Sequence, residues 1–272
     1  MHRVWLPGAL LAGLAACAPT TQDVDGVRVL YEANCAVRPG NCGYENTPVR
    51  VVDRPVTLPK RAYTFFPLAE PLRFVDANRR VWHAPAGTLT DGASIPKIFV
   101  SILGRPTAPE YVDAAAMHDA YCGVGNEGGA FYHQARWEDV HRMFFDALVV
   151  SGTPERRAKV MFAAVWLGGP RWKVYYTLDA LPVATKQQAM AQAMAYIEAN
   201  DPSLSQLVRY LERLEKRMIR QHPDLYPHLN PGDDDRMGYE EEPYEPSEPE
   251  GPYEPPVQDD VFDEGAGEGT AL

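Results

Sequence analysis

Gly87-Thr88-Leu89-Thr90-Asp91-Gly92-Ala93-Ser94-Ile95-Pro96, then Ala115-Ala116-Met117-His118-Asp119-Ala120-Tyr121, then Arg136-Trp137-Glu138-Asp139: along this stretch of a 272-residue chain the pattern changes from strands to helices. Upstream, β-favouring runs at residues 27–31, 49–52, 72–75 and 80–82 are punctuated by Gly and Pro, and Asp76-Ala77-Asn78 between the last two is a hairpin signal. Downstream of Pro109, residues 110–122, 136–150, 154–167, 186–199 and 202–221 read as helices. Thr153-Pro154 and Asp201-Pro202 look like cap-then-first-residue pairs, and Gly168-Gly169-Pro170 is a stop. In the last helix Leu204, Leu207, Leu211, Leu214 and Met218 share one stripe, expected to pack in the core. The order predicts an α+β fold: a small N-terminal β and loop portion, then an α-helical portion built on an antiparallel helix pair carrying His118 and Asp139.

The same stretch holds the chemistry. An imidazole and three carboxylates, His118, Asp91, Asp119 and Asp139, stand among Ala, Gly and aromatic residues, where ionisable groups are paired, bind an ion or move protons. His118 and Asp119 are adjacent on a helix, so their side chains diverge by about a hundred degrees and can only flank a shared site. If the Gly-rich turn 123–129 folds the next helix back, Asp139 is expected to orient His118, fixing its tautomer and raising its basicity as a general base requires. Asp91 lies in a loop of small residues that exposes carbonyls. Together with Asp119 it is the expected ligand set for calcium; alternatively, Asp91 caps a turn.

Several features are expected to carry no function. Gly123-x-Gly125-x-x-Gly128 matches a dinucleotide fingerprint literally, but it follows a helix and reads as a loop. His83, His133 and His141 lack ligand spacing with His118 and are expected at the surface or as caps. The cysteines lack metal-site spacing. The body shows no basic stripe or nucleic-acid motif, so no nucleic-acid partner is expected.

Two resemblances add to this reading. Gly87-Thr88, Thr90-Asp91-Gly92-Ala93-Ser94-Ile95-Pro96, the run Ala115 to Tyr121, and Arg136-x-x-Asp139 followed by Phe144 and Leu148 resemble the bacterial and phage family catalogued as domain of unknown function 1353 (DUF1353), over roughly residues 73–172. The order of loop, His-Asp helix and Asp helix is also similar to secreted phospholipase A2. That similarity is one of element order; the cysteine framework and the calcium-loop sequence differ. It implies His118 as the base that activates water, oriented by Asp139, with Asp119 and loop carbonyls holding calcium to stabilise the oxyanion of a phospholipid ester.

The ends of the chain suggest where the protein works. His2 and Arg3 precede an apolar run, residues 4–16, too short to span a bilayer and suited to a signal peptide at residues 1–16. It ends in Leu14-Ala15-Ala16-Cys17, similar to a bacterial lipobox, so Cys17 is the expected acylated terminus, followed by a linker at residues 17–26. The expected location is the bacterial cell envelope, anchored to membrane lipid on the periplasmic side, the outer membrane being preferred. In that oxidising setting Cys35 and Cys42, separated by a turn through Pro39-Gly40-Asn41, are the disulfide candidates, and Cys122 is left as a buried thiol.

Residues 231–272 hold fifteen acidic residues against one arginine, a net of −14 in a chain of net −11, leaving residues 1–230 at +3. Rich in Pro and Gly, the segment 229–272 is expected to be a disordered acidic tail, and residues 27–228 one α+β domain. Two functions fit: a calcium-assisted, phospholipase A2-like ester hydrolase, or a non-catalytic, membrane-anchored structural or interaction lipoprotein whose tail or last helix binds an unidentified protein partner. In the second, His118, Asp119, Asp91 and Asp139 form a buried polar network.

Overall fold

The computed structural model describes residues 31–59, 61, 64–92, 95–103 and 109–229, with Pro109 and Glu110 described in their backbone alone. The expected signal peptide, Cys17, the linker and the acidic tail from residue 230 onward lie outside the described residues, as do Ala93 and Ser94 of the Asp91 loop.

Among the described residues six short strands come first: β1 (Gly43–Glu45), β2 (Val56–Thr57), β3 (Thr64–Pro67), β4 (Leu72–Val75), β5 (Val81–Ala84) and β6 (Leu89–Thr90). They form two antiparallel three-stranded sheets, ordered β1-β4-β5 and β2-β3-β6. The β4-β5 hairpin is the one legible in the sequence. Asp76 shapes its turn, its Oδ1 accepting the backbone N–H groups of Asn78 and Arg80, with Arg79 in the left-handed region at φ 62°. Leu72 and Phe74 on β4 and Trp82 and Ala84 on β5 are buried, as strand alternation requires of a sheet with one face on the core. The expected strand 49–52 is reduced to an isolated bridge between Val51 and Leu68, and Tyr31 sits in a helical turn.

The helices follow: α1 (Val100–Leu103), α2 (Pro109–Cys122), α3 (Trp137–Val150), α4 (Glu155–Gly168), α5 (Val183–Asn200) and α6 (Leu204–Gln221). The expected bounds of the five longer ones hold to within three residues. Ala114, Ala115, Ala116, Met117 and Ala120 of α2 are all buried, as are Asp113, His118 and Asp119, so this helix is enclosed around its circumference, and its small side chains admit close neighbours. It packs between the hairpin and α3. Tyr121 meets Trp82 edge-on with ring centroids 5.1 Å apart, and its hydroxyl accepts the His83 N–H.

The α6 stripe Leu204, Leu207, Leu211, Leu214 and Met218 is core. Its cap differs from expectation. Ser203 accepts the Gln206 N–H while the Gln206 side chain accepts the Ser203 N–H, and this reciprocal pair starts the helix after Asp201-Pro202. Asp201 instead ends α5 in a left-handed conformation and accepts Lys159 Nζ at 3.0 Å. Cys35 and Cys42 are joined in a disulfide across the 3-10 turn Pro39–Asn41, while Cys122 is a buried free thiol.

Candidate functional site

Two kinds of polar cluster occupy the junction between the hairpin, α2 and α3. The first is built from carboxylates, each with donors. Asp76 Oδ2 accepts Trp82 Nε1 at 2.9 Å and Arg142 Nη2 at 2.6 Å. Arg142, 1% exposed, reaches one turn along α3 to donate its Nη1 to Asp146 Oδ2 at 2.8 Å, and Asp146 Oδ1 accepts the Cys35 N–H at 2.6 Å. One guanidinium thereby joins the hairpin, α3 and the segment beside the disulfide. Burial pushes the Asp146 carboxyl up to about 7, an effect that Arg142 opposes without cancelling.

Two further carboxylates tie α2 to the β portion. Asp113 accepts the Thr47 hydroxyl and the Val49 N–H. Asp119 Oδ2 accepts the Thr90 hydroxyl at 2.7 Å. Beside it, the Asn126 amide donates to the carbonyls of Leu89 and Asp119 while its oxygen accepts the Leu89 N–H.

The second cluster has no carboxylate partner. His118 and Cys122 lie one turn apart on α2, which stacks their side chains on one face, with Sγ 3.4 Å from Nε2. His141 faces them from α3, its ring centroid 5.3 Å from that of His118, and Phe144 closes the other side at 4.8 Å. Exposures are 4% for His118, 7% for Cys122 and 0% for His141. Trp137 meets the His141 ring edge-on. Gly169 is glycine for a related reason: a Cβ there would collide with the Val165 carbonyl at 2.4 Å and approach the His141 ring to 3.3 Å.

Burial governs the electrostatics of this group. It pushes the His118 imidazole down to about 3; burial, then the charges of His118 and Arg171, hold His141 well below its ordinary value. Burial, then the Asp119 charge, pushes the Cys122 thiol well up.

These observations correct the expected catalytic pair. Asp139 is bonded to Arg80 and not to His118: its Oδ2 accepts Arg80 Nη1 at 3.0 Å while that guanidinium lies over the Trp82 ring. The cause is helical phase. His141 lies on the stripe with Phe144 and Leu148, and a residue two positions earlier points about two hundred degrees away. The expected calcium pair is also divided in character: Asp91 is exposed, whereas Asp119 is buried and engaged by Thr90. The loop does reach the helix, but through Thr90. Of the residues expected to form one buried network, His118 and Asp119 are buried, Asp91 is exposed and Asp139 is paired with Arg80; a buried ion-pair network is formed by Asp76, Arg142 and Asp146. The surface reading of His141 is overturned; it is buried because its stripe is the one that packs on α2. That stripe, visible in the spacing of positions 141, 144 and 148, was the signal for it, as the four-residue spacing was for His118 and Cys122.

Residues 66–165 match the family model described as protein of unknown function, DUF1353. This segment contains His118, Cys122 and His141, along with Asp76, Arg142 and Asp146. Two curated relatives from Sinorhizobium fredii (strain NBRC 101917 / NGR234) are similar over much the same length. The uncharacterized protein y4iH is 38% identical over 99 residues, 36% of this chain and 38% of the relative. The uncharacterized protein y4jT is 36% identical over 107 residues, 39% of this chain and 30% of the relative. The chain thus spans well under half the length of either. No solved structure matches.

Proposed function

We propose that this chain is a membrane-anchored lipoprotein of the bacterial envelope whose α+β body supports or binds a protein partner and does not hydrolyse a lipid ester. One observation carries the non-catalytic part. His118, the residue a phospholipase-like reading needs as base, is packed against Cys122, His141 and Phe144 with its basicity lowered by burial, while Asp139 is committed to Arg80. A general base for neutral pH needs the opposite, an orienting carboxylate and a raised affinity for protons. Its carboxylate neighbours act as ties between the sheet and the helices, a structural use of buried polar networks.

Anchoring rests on the apolar run that ends in Leu14-Ala15-Ala16-Cys17, with the periplasmic face of the outer membrane as the proposed location. Among the described residues no helix is long and apolar enough to cross a membrane.

The test has two arms. Cys17→Ala should move the protein out of the membrane fraction, and the wild-type Cys17 peptide should carry acyl mass. Phospholipid vesicles incubated with the wild type, with or without calcium, should release no more fatty acid than with the His118→Ala variant. Calcium-dependent release that disappears in His118→Ala would restore the hydrolase reading, with Asp91 and Asp119 as its ion ligands.

A further inference from the structure

Buried polar atoms normally have hydrogen-bond partners, and exceptions call for an explanation such as an ion. His141 is such an exception: fully buried, with neither Nδ1 nor Nε2 bonded to any group. Two other side chains able to ligate a metal lie beside it. Among the described residues, His118, Cys122 and His141 form the one group of three that brings its ligand atoms within 4.8 Å of one another.

We propose that these three side chains bind one thiophilic d10 metal ion, Zn2+ or Cu+, in the interior of the α2-α3 pair. The donor set, two imidazoles and a thiol without a carboxylate, matches soft and borderline ions and not the calcium or magnesium that oxygen ligands select. The geometry is close to what such an ion needs. Metal-to-sulfur bonds of about 2.3 Å and metal-to-nitrogen bonds of about 2.0 Å place ligand atoms about 3.5 Å apart in a tetrahedral site. Cys122 Sγ and His118 Nε2 are already 3.4 Å apart, and the whole set lies within 4.8 Å, so closing it on an ion needs ligand atoms to move inward by at most about 1.3 Å.

The scaffold has the form of metal sites built between facing helices of a bundle: two ligands one turn apart on α2, one from α3, walled by Phe144 and Trp137. The charges acting on the cluster are those of Asp119 on Cys122 and Arg171 on His141. Binding converts the thiol to a thiolate and releases its proton, while both imidazoles ligate in the neutral form that burial already favours. Because the cluster is enclosed, loading accompanies folding or a local opening of the helix pair. The site does not depend on the anchor or on the non-catalytic reading, so the vesicle assay and this test fail separately.

The test uses the full chain without a histidine tag, unfolded in denaturant with chelator under non-reducing conditions, then refolded with Co2+ as the probe. One equivalent should give the near-ultraviolet band of a cobalt-bound thiolate and, with one water completing the three protein ligands, the intense visible bands of a four-coordinate ion. Acidic residues at the surface can hold Co2+ through oxygen and produce neither. Cys122→Ser should abolish the thiolate band, and His141→Leu should weaken binding at least 100-fold, each variant keeping the wild-type circular dichroism. Stoichiometric displacement by Zn2+ or by Cu+ identifies the preferred ion. Absence of the thiolate band after refolding, or its persistence in Cys122→Ser, or wild-type affinity in His141→Leu, overturns the site.

Discussion

The Arg142 cluster and the His118 cluster share helix α3 and are both buried, yet they are opposite in chemistry. Around Arg142 the buried carboxylates meet cations and N–H donors: Asp76 takes the hairpin turn, Trp82 and Arg142, and Asp146 takes Arg142 and the Cys35 backbone. Around His141 two ring nitrogens meet apolar and aromatic walls. The difference separates groups whose partners were assembled by folding from groups whose partner must come from elsewhere. A network of paired charges is costly to break by removing one member, because the remaining charges stay buried, even though the Arg142 Nε itself has no hydrogen-bond partner; a neutral unpaired group costs little to remove.

Arg142→Leu should give the largest effect. It leaves Asp76 and Asp146 buried without their guanidinium, and should cost about 3–5 kcal/mol in urea denaturation. A loss under about 1 kcal/mol would mean that the donors around Asp76 suffice alone and would remove the asymmetry between the clusters.

The Asp146 carboxyl sharpens the comparison through pH. Its folded value, raised by burial to about 7, exceeds the ordinary 3.8, so between these limits the folded protein holds a proton that the unfolded chain has released. Its contribution to stability is therefore fully present below about pH 3.8 and lost as pH rises to about 7, with a limiting slope of about 1.4 kcal/mol per pH unit. Comparing denaturation across this window in the wild type and Asp146→Asn should show the wild type losing stability with rising pH more steeply than the variant.

His141→Leu, measured on chelator-treated protein, should change stability by less than about 1 kcal/mol, since it removes unpaired nitrogens and keeps an apolar body of similar size. A loss approaching that of Arg142→Leu would show that the imidazole has a partner the ring contacts do not reveal.

Much of this was open to reading in the sequence, and the misreadings have a common cause. The helix spans followed from periodicity and Pro or Gly punctuation, and the β4-β5 hairpin followed from its Asp-Ala-Asn turn. Strands β1, β2, β3 and β6 were missed because two to four residues are too few for alternation to register, and their pairing is decided by distant partners. At the site, a preference for joining opposite charges put Asp139 on His118, although Phe144 and Leu148 had already marked the inward face and His141 was on it. Arg142 could not be assigned in advance: its partner Asp76 is 66 residues away, and its neighbour Asp146 accepts from a backbone 111 residues away. Such ties exist only once the sheet is laid on α3. The Ser203 and Gln206 cap was legible in principle, and was obscured by the stronger-looking Asp201-Pro202.

Asn126 has one last consequence. β6 ends the order β2-β3-β6 and is two residues long, so its outward backbone groups face away from the sheet. The Asn126 side chain takes both the N–H and the carbonyl of Leu89, as a neighbouring strand would. A single amide thus serves as the missing strand and closes that edge at Leu89 against the addition of a β-strand from another molecule, a form of protection against edge-to-edge aggregation.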